Sequence, residues 1–130
     1  MNSPQSPNDP PLVLVVEDDP NQRALYEEEL CDEGYAVVTA GDGREALETA
    51  QNRPPDLVVL DVNMPKMDGL DTLARLLEVD RRVPVIIHTA YASYRDSFAS
   101  WSADAYIVKN SDLSELKDTV KRLLTQRESD

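Results

Sequence analysis

The sequence contains the octet Val58-Val59-Leu60-Asp61-Val62-Asn63-Met64-Pro65, in which an uninterrupted apolar run ends in a single carboxylate, Asp61. A short apolar run that leads at once into a loop with Pro, Asp and Gly is typical of a strand buried within a sheet. Asp61 would then stand at the carboxyl end of the strand. Asp also ends strands because its side chain hydrogen-bonds the following turn, so the octet alone leaves a functional and a purely structural interpretation open.

Apolar runs and stretches with helical periodicity alternate along the whole chain. Apolar and β-branched residues predict strands at 12–16, 35–40, 57–60, 85–88 and 105–108. Apolar residues at helical spacing predict helices at 20–33, 46–50, 68–77, 94–101 and 113–126.

Specific residues mark the ends of the first and last helices. Asp19 with Gln22 three residues later is a good helix start, and Gly34 is expected to end that helix. Asp112 with Glu115 predicts a capping box for the last helix. The inward face of the first helix is expected to hold Leu25, Tyr26 and Leu30.

Five alternations of strand and helix predict an α/β fold. Apolar strands that alternate with amphipathic helices form a parallel sheet, doubly wound, with helices on both faces and right-handed crossovers. A five-stranded sheet of this flavodoxin-like kind most often has the order 2-1-3-4-5, and ligands bind at the carboxyl ends of its strands 1 and 3. We expect one domain over 12–126, a disordered tail over 1–11 and a short tail over 127–130.

Composition excludes several classes of function. The 130 residues carry a formal net charge of −12, which argues against binding to nucleic acid or to an anionic membrane. No apolar run approaches the roughly 18 residues that span a bilayer. Cys31 is the single cysteine, so no internal disulfide can form, and a cytoplasmic location is expected.

The predicted strand ends bring together acids, a hydroxyl and a base. Glu17 and Asp18 follow strand 1, Asp61 follows strand 3, Thr89 ends strand 4 and Lys109 follows strand 5. Carboxylates that converge on one crevice repel one another, and oxygen ligands of this kind favour a hard divalent ion. We therefore expect Mg²⁺, with Mn²⁺ as a second choice.

Such a cluster is suited to phosphoryl transfer. A phosphoryl group needs its charge offset and an acceptor in line with the leaving atom. Asp61 can be the nucleophile that forms an aspartyl phosphate, while Lys109 and the metal stabilise the phosphoryl oxygens and Thr89 donates a hydrogen bond.

These motifs resemble those of receiver domains of two-component response regulators, over about residues 12–126. The motifs that carry the resemblance are Val15-Val16-Glu17-Asp18-Asp19-Pro20, Leu60-Asp61-Val62-Asn63-Met64-Pro65, Asp68-Gly69, Thr89-Ala90 and Tyr106-Ile107-Val108-Lys109. The resemblance implies a phosphoacceptor at Asp61, a phosphate partner at Lys109 and a switch pair of Thr89 and Tyr106. It implies metal binding by Glu17, Asp18, Asp61 and the backbone carbonyl of Asn63.

The resemblance also implies a role in signalling. The phosphoryl donor would be a phosphohistidine of a sensor histidine kinase, and phosphorylation would change the face formed by the fourth helix, the fifth strand and the fifth helix. That face would bind a downstream protein or a phosphotransfer protein. No residues follow the last predicted helix to form an output domain, so we expect a stand-alone receiver. It would promote its own phosphorylation and dephosphorylation without being an enzyme in the usual sense.

The chain departs from the family pattern in the region around the switch. Asn110 follows Lys109, where the family usually has Pro, and the segment between Thr89 and Lys109 is slightly short and rich in Ser and aromatic residues. Tyr91 and Asn63 would flank the path of the hydrolytic water, and the bulk of Tyr91 predicts a long-lived phosphoryl group.

Three alternatives to a phosphorylated receiver differ in the residues that they require. A pseudo-receiver that only binds other proteins stays open because of Asn110. A flavodoxin-like flavin binder would need a hydroxyl- or Gly-rich loop after strand 1, where Glu17, Asp18 and Asp19 stand instead. A dehalogenase-type phosphatase would need an acid at position 63, which is Asn63.

Overall fold

A computed structural model of the protein describes residues 9–61, 68–90, 103–110 and 112–129. The strands in these ranges are β1 (Leu12–Val16), β2 (Ala36–Ala40), β3 (Leu57–Leu60), β4 (Val85–Thr89) and β5 (Ala105–Val108). The helices in these ranges are α1 (Pro20–Asp32), α2 (Gly43–Asn52), α3 (Asp68–Val79) and α4 (Ser114–Ser129). The helix predicted around 94–101 lies outside the described residues.

The five strands form one parallel sheet in the order β2-β1-β3-β4-β5. This confirms the predicted order. β1 and β3 lie side by side with Val16 opposite Leu60, so their carboxyl ends reach the same edge of the sheet. Successive strands are added to one side of β1 first and then to the other, so the strand order reverses between β1 and β3, and the predicted site belongs there.

Helices cover both faces of the sheet, as predicted. Successive side chains of a strand point to opposite faces, so each strand contributes to two apolar cores. One core packs Leu14, Val58 and Ile87 against the helices α2 and α3. The other packs Val13, Val15, Leu57, Val59, Ile86 and Ile107 against buried residues of α1 and α4.

Helix α1 begins and ends near the predicted residues, but its capping bonds differ in detail. The carboxylate of Asp19 accepts hydrogen bonds from the backbone N–H groups of Asn21 and Gln22. The Gln22 side chain does not return a bond to the Asp19 backbone. Its amide donates to the Asp19 carboxylate instead, and the Asp19 N–H donates to Oε2 of Glu17. Gly34 has a φ of 96°, a left-handed conformation that favours glycine and ends the helix.

The prediction that Leu25 of α1 lies in the core is wrong. Tyr26 and Leu30 are buried, one helical turn apart, whereas Leu25 is 47% exposed. Successive helical residues are turned by about 100°, so a side chain next to the buried stripe faces sideways, toward solvent.

The predicted start and end of the last helix are also corrected. α4 begins at Ser114, and Asp112 accepts a hydrogen bond from the Ser114 N–H rather than from Glu115. The helix continues to Ser129, past the predicted end near residue 126. None of the helices in the described ranges combines the length and apolar character that crossing a lipid bilayer requires.

Candidate functional site

Backbone hydrogen bonds extend the strand pairing by one residue at the carboxyl edge of the sheet. The Glu17 N–H donates to the carbonyl of Ala40 at 3.0 Å, and the Asp61 N–H donates to Val16 at 3.0 Å. The Lys109 N–H donates in the same way to the last carbonyl of β4, at 2.6 Å. Each functional side chain therefore starts from a backbone position that the sheet fixes.

The alternation of side chains explains why these three residues meet. Glu17, Asp61 and Lys109 each stand two residues after a strand side chain that is buried beneath α1 and α4. Those buried side chains are Val15, Val59 and Ile107. Residues two apart on a strand point to the same face, so the three polar side chains converge between the sheet edge and the start of α1.

The ammonium group of Lys109 lies at the centre of the site. Its Nζ is 2.6 Å from Oε1 of Glu17, 2.7 Å from Oε1 of Gln22 and 3.3 Å from Oδ2 of Asp61. The exposed fractions of the Lys109, Glu17 and Asp61 side chains are 14%, 2% and 12%. A cavity of about 300 Å³ opens beside them, lined by Glu17, Asp18, Asp19, Gln22, Asp61, Ala90 and Lys109.

Glu17, Asp18 and Asp61 are arranged as a metal site would need. One carboxylate oxygen of each lies within 4.8 Å of the other two, with Glu17 buried, Asp61 half-buried and Asp18 exposed. Two carboxylates at this separation repel by about 3 kcal/mol at an effective dielectric near 20. Lys109 offsets one of the three negative charges. The oxygen-only donor set and the remaining charge fit a hard divalent cation such as Mg²⁺.

The pKa values of the buried acids and the lysine are all raised. Burial is the largest cause for Glu17 and Asp61, and a neighbouring carboxylate adds to it in each case, although hydrogen bonds to Lys109 act against the rise. Burial alone would lower the pKa of Lys109, but the hydrogen bond to Glu17 and the negative charge of Asp61 outweigh it. Lys109 is therefore held firmly in its charged form.

The predicted switch residues lie on the opposite face of the sheet from Lys109. Thr89 is 1% exposed at the end of β4. Tyr106 is half-buried on β5 and packs against the core beneath α2 and α3. Tyr106 lies opposite Ile87, two residues before Thr89, so Tyr106 and Thr89 share one face of the sheet. Asn63 and Tyr91, the predicted water-access residues, lie outside the described part of the chain.

Three residues around the site were missed by the sequence analysis. Gln22 was assigned only to the helix start, yet its side chain reaches Lys109. The hydroxyl of Tyr26 donates to Gln22, and the Tyr26 ring packs edge-on against His88 with centroids 5.2 Å apart. The spacing of Gln22 and Tyr26, one helical turn apart after Asp18, was the only available signal.

The comparison with protein-family models matches the response regulator receiver domain over residues 13–121. Among curated proteins, the chain is 44% identical over 121 residues to the transcriptional regulatory protein PrrA of Mycobacterium tuberculosis, covering 92% of this chain and 52% of that protein. It is 35% identical over 114 residues to the sporulation initiation phosphotransferase F of Bacillus subtilis, covering 86% of this chain and 92% of that protein. The chain thus spans about half the length of PrrA.

Two solved structures of the response regulator TrrA from Thermotoga maritima are also similar. The structure of TrrA in complex with Mg²⁺-BeF has a TM-score of 0.80 and 42% identity, and covers 87% of this chain and 98% of TrrA. The structure of TrrA in complex with the histidine kinase ThkA gives a TM-score of 0.78 and 43% identity, with 88% and 98% of the two chains covered.

Proposed function

The chain belongs to the response regulator receiver domain family, and on that premise we propose that Asp61 accepts a phosphoryl group in a reaction that depends on Mg²⁺. The observation that carries the proposal is the position of Asp61. Its carboxylate lies 3.3 Å from Lys109 and within 4.8 Å of the acids Glu17 and Asp18. The receiver unit is proposed to span residues 12–126.

Asp61 acts as the nucleophile. One of its carboxylate oxygens attacks the phosphorus atom, the new O–P bond forms, and the bond from phosphorus to the leaving group of the donor breaks. The product is an aspartyl phosphate. Burial raises the pKa of Asp61, and the positive charge of Lys109, 3.3 Å away, acts against that rise.

The metal is proposed to be held by Glu17, Asp18 and Asp61, together with the Asn63 backbone carbonyl. When bound, Mg²⁺ supplies charge stabilisation for the phosphoryl oxygens. Similarity to TrrA, which was solved with Mg²⁺-BeF, supports this choice of ion. Lys109 contributes the second positive charge, and its buried, hydrogen-bonded ammonium is already beside Asp61.

Thr89 and Tyr106 are proposed to transmit the effect of phosphorylation from Asp61 to the surface of the protein. A phosphoryl group adds about −1.5 to −2 charges and new acceptor oxygens, which attract the hydroxyl at the end of β4. Movement of Thr89 would leave space that the half-buried Tyr106 ring can enter, since both lie on one face of the sheet. The surface around β5 and α4 would then bind a downstream protein or a phosphotransfer protein.

A sensor histidine kinase is the proposed phosphoryl donor, in the cytoplasm. The similarity to TrrA, whose structure with the histidine kinase ThkA is known, supports this class of partner.

Incubation with a small phosphodonor tests the proposal. With acetyl phosphate and Mg²⁺, the intact mass should rise by one phosphoryl group in the wild type and in Asp118→Asn, an exposed acid of α4 that serves as the matched control. Asp61→Asn should gain nothing, and removal of Mg²⁺ should abolish labelling. A wild-type protein that takes up no phosphoryl group would instead indicate a module that only binds other proteins.

A further inference from the structure

Gln22 shares the ammonium group of Lys109 with the two buried acids. The distance from Nζ of Lys109 to Oε1 of Gln22 is 2.7 Å, almost equal to the 2.6 Å distance to Glu17. The distance to Asp61 is longer, at 3.3 Å. The neutral amide oxygen of Gln22 is thus one of the two acceptors that lie closest to the ammonium group of Lys109.

The amide of Gln22 is itself fixed in orientation. Its Nε2 donates to the carboxylate of Asp19 at 3.3 Å, and the hydroxyl of Tyr26 donates to its Oε1 at 3.1 Å. Tyr26 is 6% exposed and packs against His88, so the hydroxyl has a defined position. The opposite orientation of the amide would place its NH₂ group against the ammonium of Lys109. The oxygen of Gln22 is therefore held toward the site.

Glu17 and Gln22 differ in what else they can bind. Glu17 belongs to the acid cluster whose oxygens lie within 4.8 Å of one another, so it would be needed to hold a divalent ion. A carboxylate that shares its charge with such an ion attracts an ammonium group less strongly. The amide of Gln22 carries no formal charge and is outside that cluster. Its bond to Lys109 does not compete with metal binding.

We propose that Gln22 is a positioning residue that keeps the ammonium of Lys109 beside Asp61 when Glu17 binds the metal. The inference rests on the proposed function of Asp61 and Lys109 and extends it to a side chain of α1. Gln22 acts only through Lys109. Its loss should weaken the binding of a phosphoryl mimic without removing the acids that bind Mg²⁺.

Gln22→Met tests this role, because Met has a similar length and no strong acceptor oxygen. Beryllofluoride binding to the Mg²⁺-saturated protein, followed by fluorine NMR, should become about tenfold weaker, as expected for one lost hydrogen bond to a charged group. Gln51→Met, the same exchange at an exposed position of α2, is the control and should bind as the wild type does. Gln22→Ala provides a second variant with the same expectation.

A second measurement reports the contact itself. Heteronuclear NMR of the lysine ammonium groups, in protein without metal, should show a shifted Lys109 signal in Gln22→Met and an unchanged one in Gln51→Met. Absence of the signal in Lys109→Met assigns it. Equal beryllofluoride affinities in wild type and Gln22→Met, or an unmoved Lys109 signal, would overturn the proposal. A wild-type protein that binds no beryllofluoride would instead contradict the proposed function, and the ammonium signal would still show whether Gln22 holds Lys109.

Discussion

Lys109 acts as the internal cation of the acid cluster. It is 14% exposed and forms ion pairs with Glu17 and Asp61, so in the described site one ammonium offsets one of the three carboxylate charges. A divalent ion at the same acids would have to share them with this ammonium. In the proposed function, Lys109 would therefore lower the affinity for Mg²⁺ while contributing charge to the phosphoryl site.

Lys109→Met should separate these two effects. Removal of this positive charge should tighten Mg²⁺ binding by roughly tenfold or more, while phosphorylation by acetyl phosphate slows. Isothermal titration with Mg²⁺ and the rate of mass increase measure the two quantities. Arg44→Met, at an exposed site of α2, should change neither. Weaker Mg²⁺ binding in Lys109→Met would contradict this description of the site.

His88 makes folding stability sensitive to acid. It is the only histidine of the chain and is 2% exposed, and among the described residues its Nδ1 has no hydrogen-bond partner. Burial, with added repulsion from Lys109, lowers its pKa from 6.5 to about 4. The unfolded chain therefore binds a proton below pH 6.5, whereas the folded protein binds it only near pH 4. Stability is lost as pH falls through this window.

His88→Leu should remove the loss of stability that protonation of His88 causes. Between the unfolded and the folded pKa, this loss adds up to about 3 kcal/mol of the free energy of unfolding. Denaturant unfolding between pH 7 and pH 4 measures it as a smaller fall in the free energy of unfolding for the variant than for the wild type. The raised pKa values of Glu17 and Asp61 act in both proteins and cancel in the comparison. Parallel curves for the two proteins would show that His88 does not titrate in this way.

At the level of elements, the close approach of α2 to α3 depends on one glycine. Gly43 is the first residue of α2, and a Cβ there would overlap Oγ1 of Thr72 and lie 3.3 Å from its Cβ. Thr72 is 4% exposed, so it has little room to move. Two helices on the same face of the sheet can pack at this distance only because Gly43 has no side chain.

Gly43→Ala should therefore destabilise the protein by about 1–2 kcal/mol, as overpacking does. At an exposed helical position the same change would stabilise by up to about 1 kcal/mol. Denaturant unfolding measures whether Gly43→Ala lowers or raises the free energy of unfolding. In a Thr72→Ala background the effect of Gly43→Ala should shrink or reverse, since the overlapping atoms are gone. A single variant as stable as the wild type would refute the steric argument.

The sequence was sufficient to predict the strands and helix ends that depend only on residues close to them in the chain. The apolar runs that end at Val16, Leu60 and Val108 predicted strands, and Asp19 and Gly34 marked the ends of α1. The start of α4 could not be read from Asp112 and Glu115, because Asp112 can accept a hydrogen bond either two or three residues onward. Local chemistry allowed both bonds, and the rest of the fold selected one.

Contacts between distant residues were predicted only where the topology fixed them. Glu17, Asp61 and Lys109 directly follow strands, so the strand order brings them together. The contact between Gln22 and Lys109 joins residues 87 positions apart and depends on how α1 turns over the sheet edge. No pattern in the sequence reports that rotation, which also explains the misplaced Leu25.

At the level of the whole molecule, the site lies where the two apolar cores and the sheet leave an open edge. Both faces of the sheet are covered by helices, and the carboxyl ends of β1, β3 and β5 carry the acids and the lysine.

A ligand that binds only the folded protein stabilises it by mass action. Mg²⁺ at a hundred times its dissociation constant should add about 2.7 kcal/mol to the free energy of unfolding. Asp18→Asn should reduce that gain, whereas an equal gain in the variant would argue against Asp18 as a ligand.

The proposed function requires that Asp61, and no other acid, carries the phosphoryl group. Borohydride reduces an aspartyl phosphate to homoserine, so the modified residue can be located by peptide mass spectrometry after labelling with acetyl phosphate and Mg²⁺. Homoserine is expected at position 61 and at no other acid of the chain. Aspartate recovered intact at position 61 from phosphorylated protein, or homoserine at a different position, would contradict it.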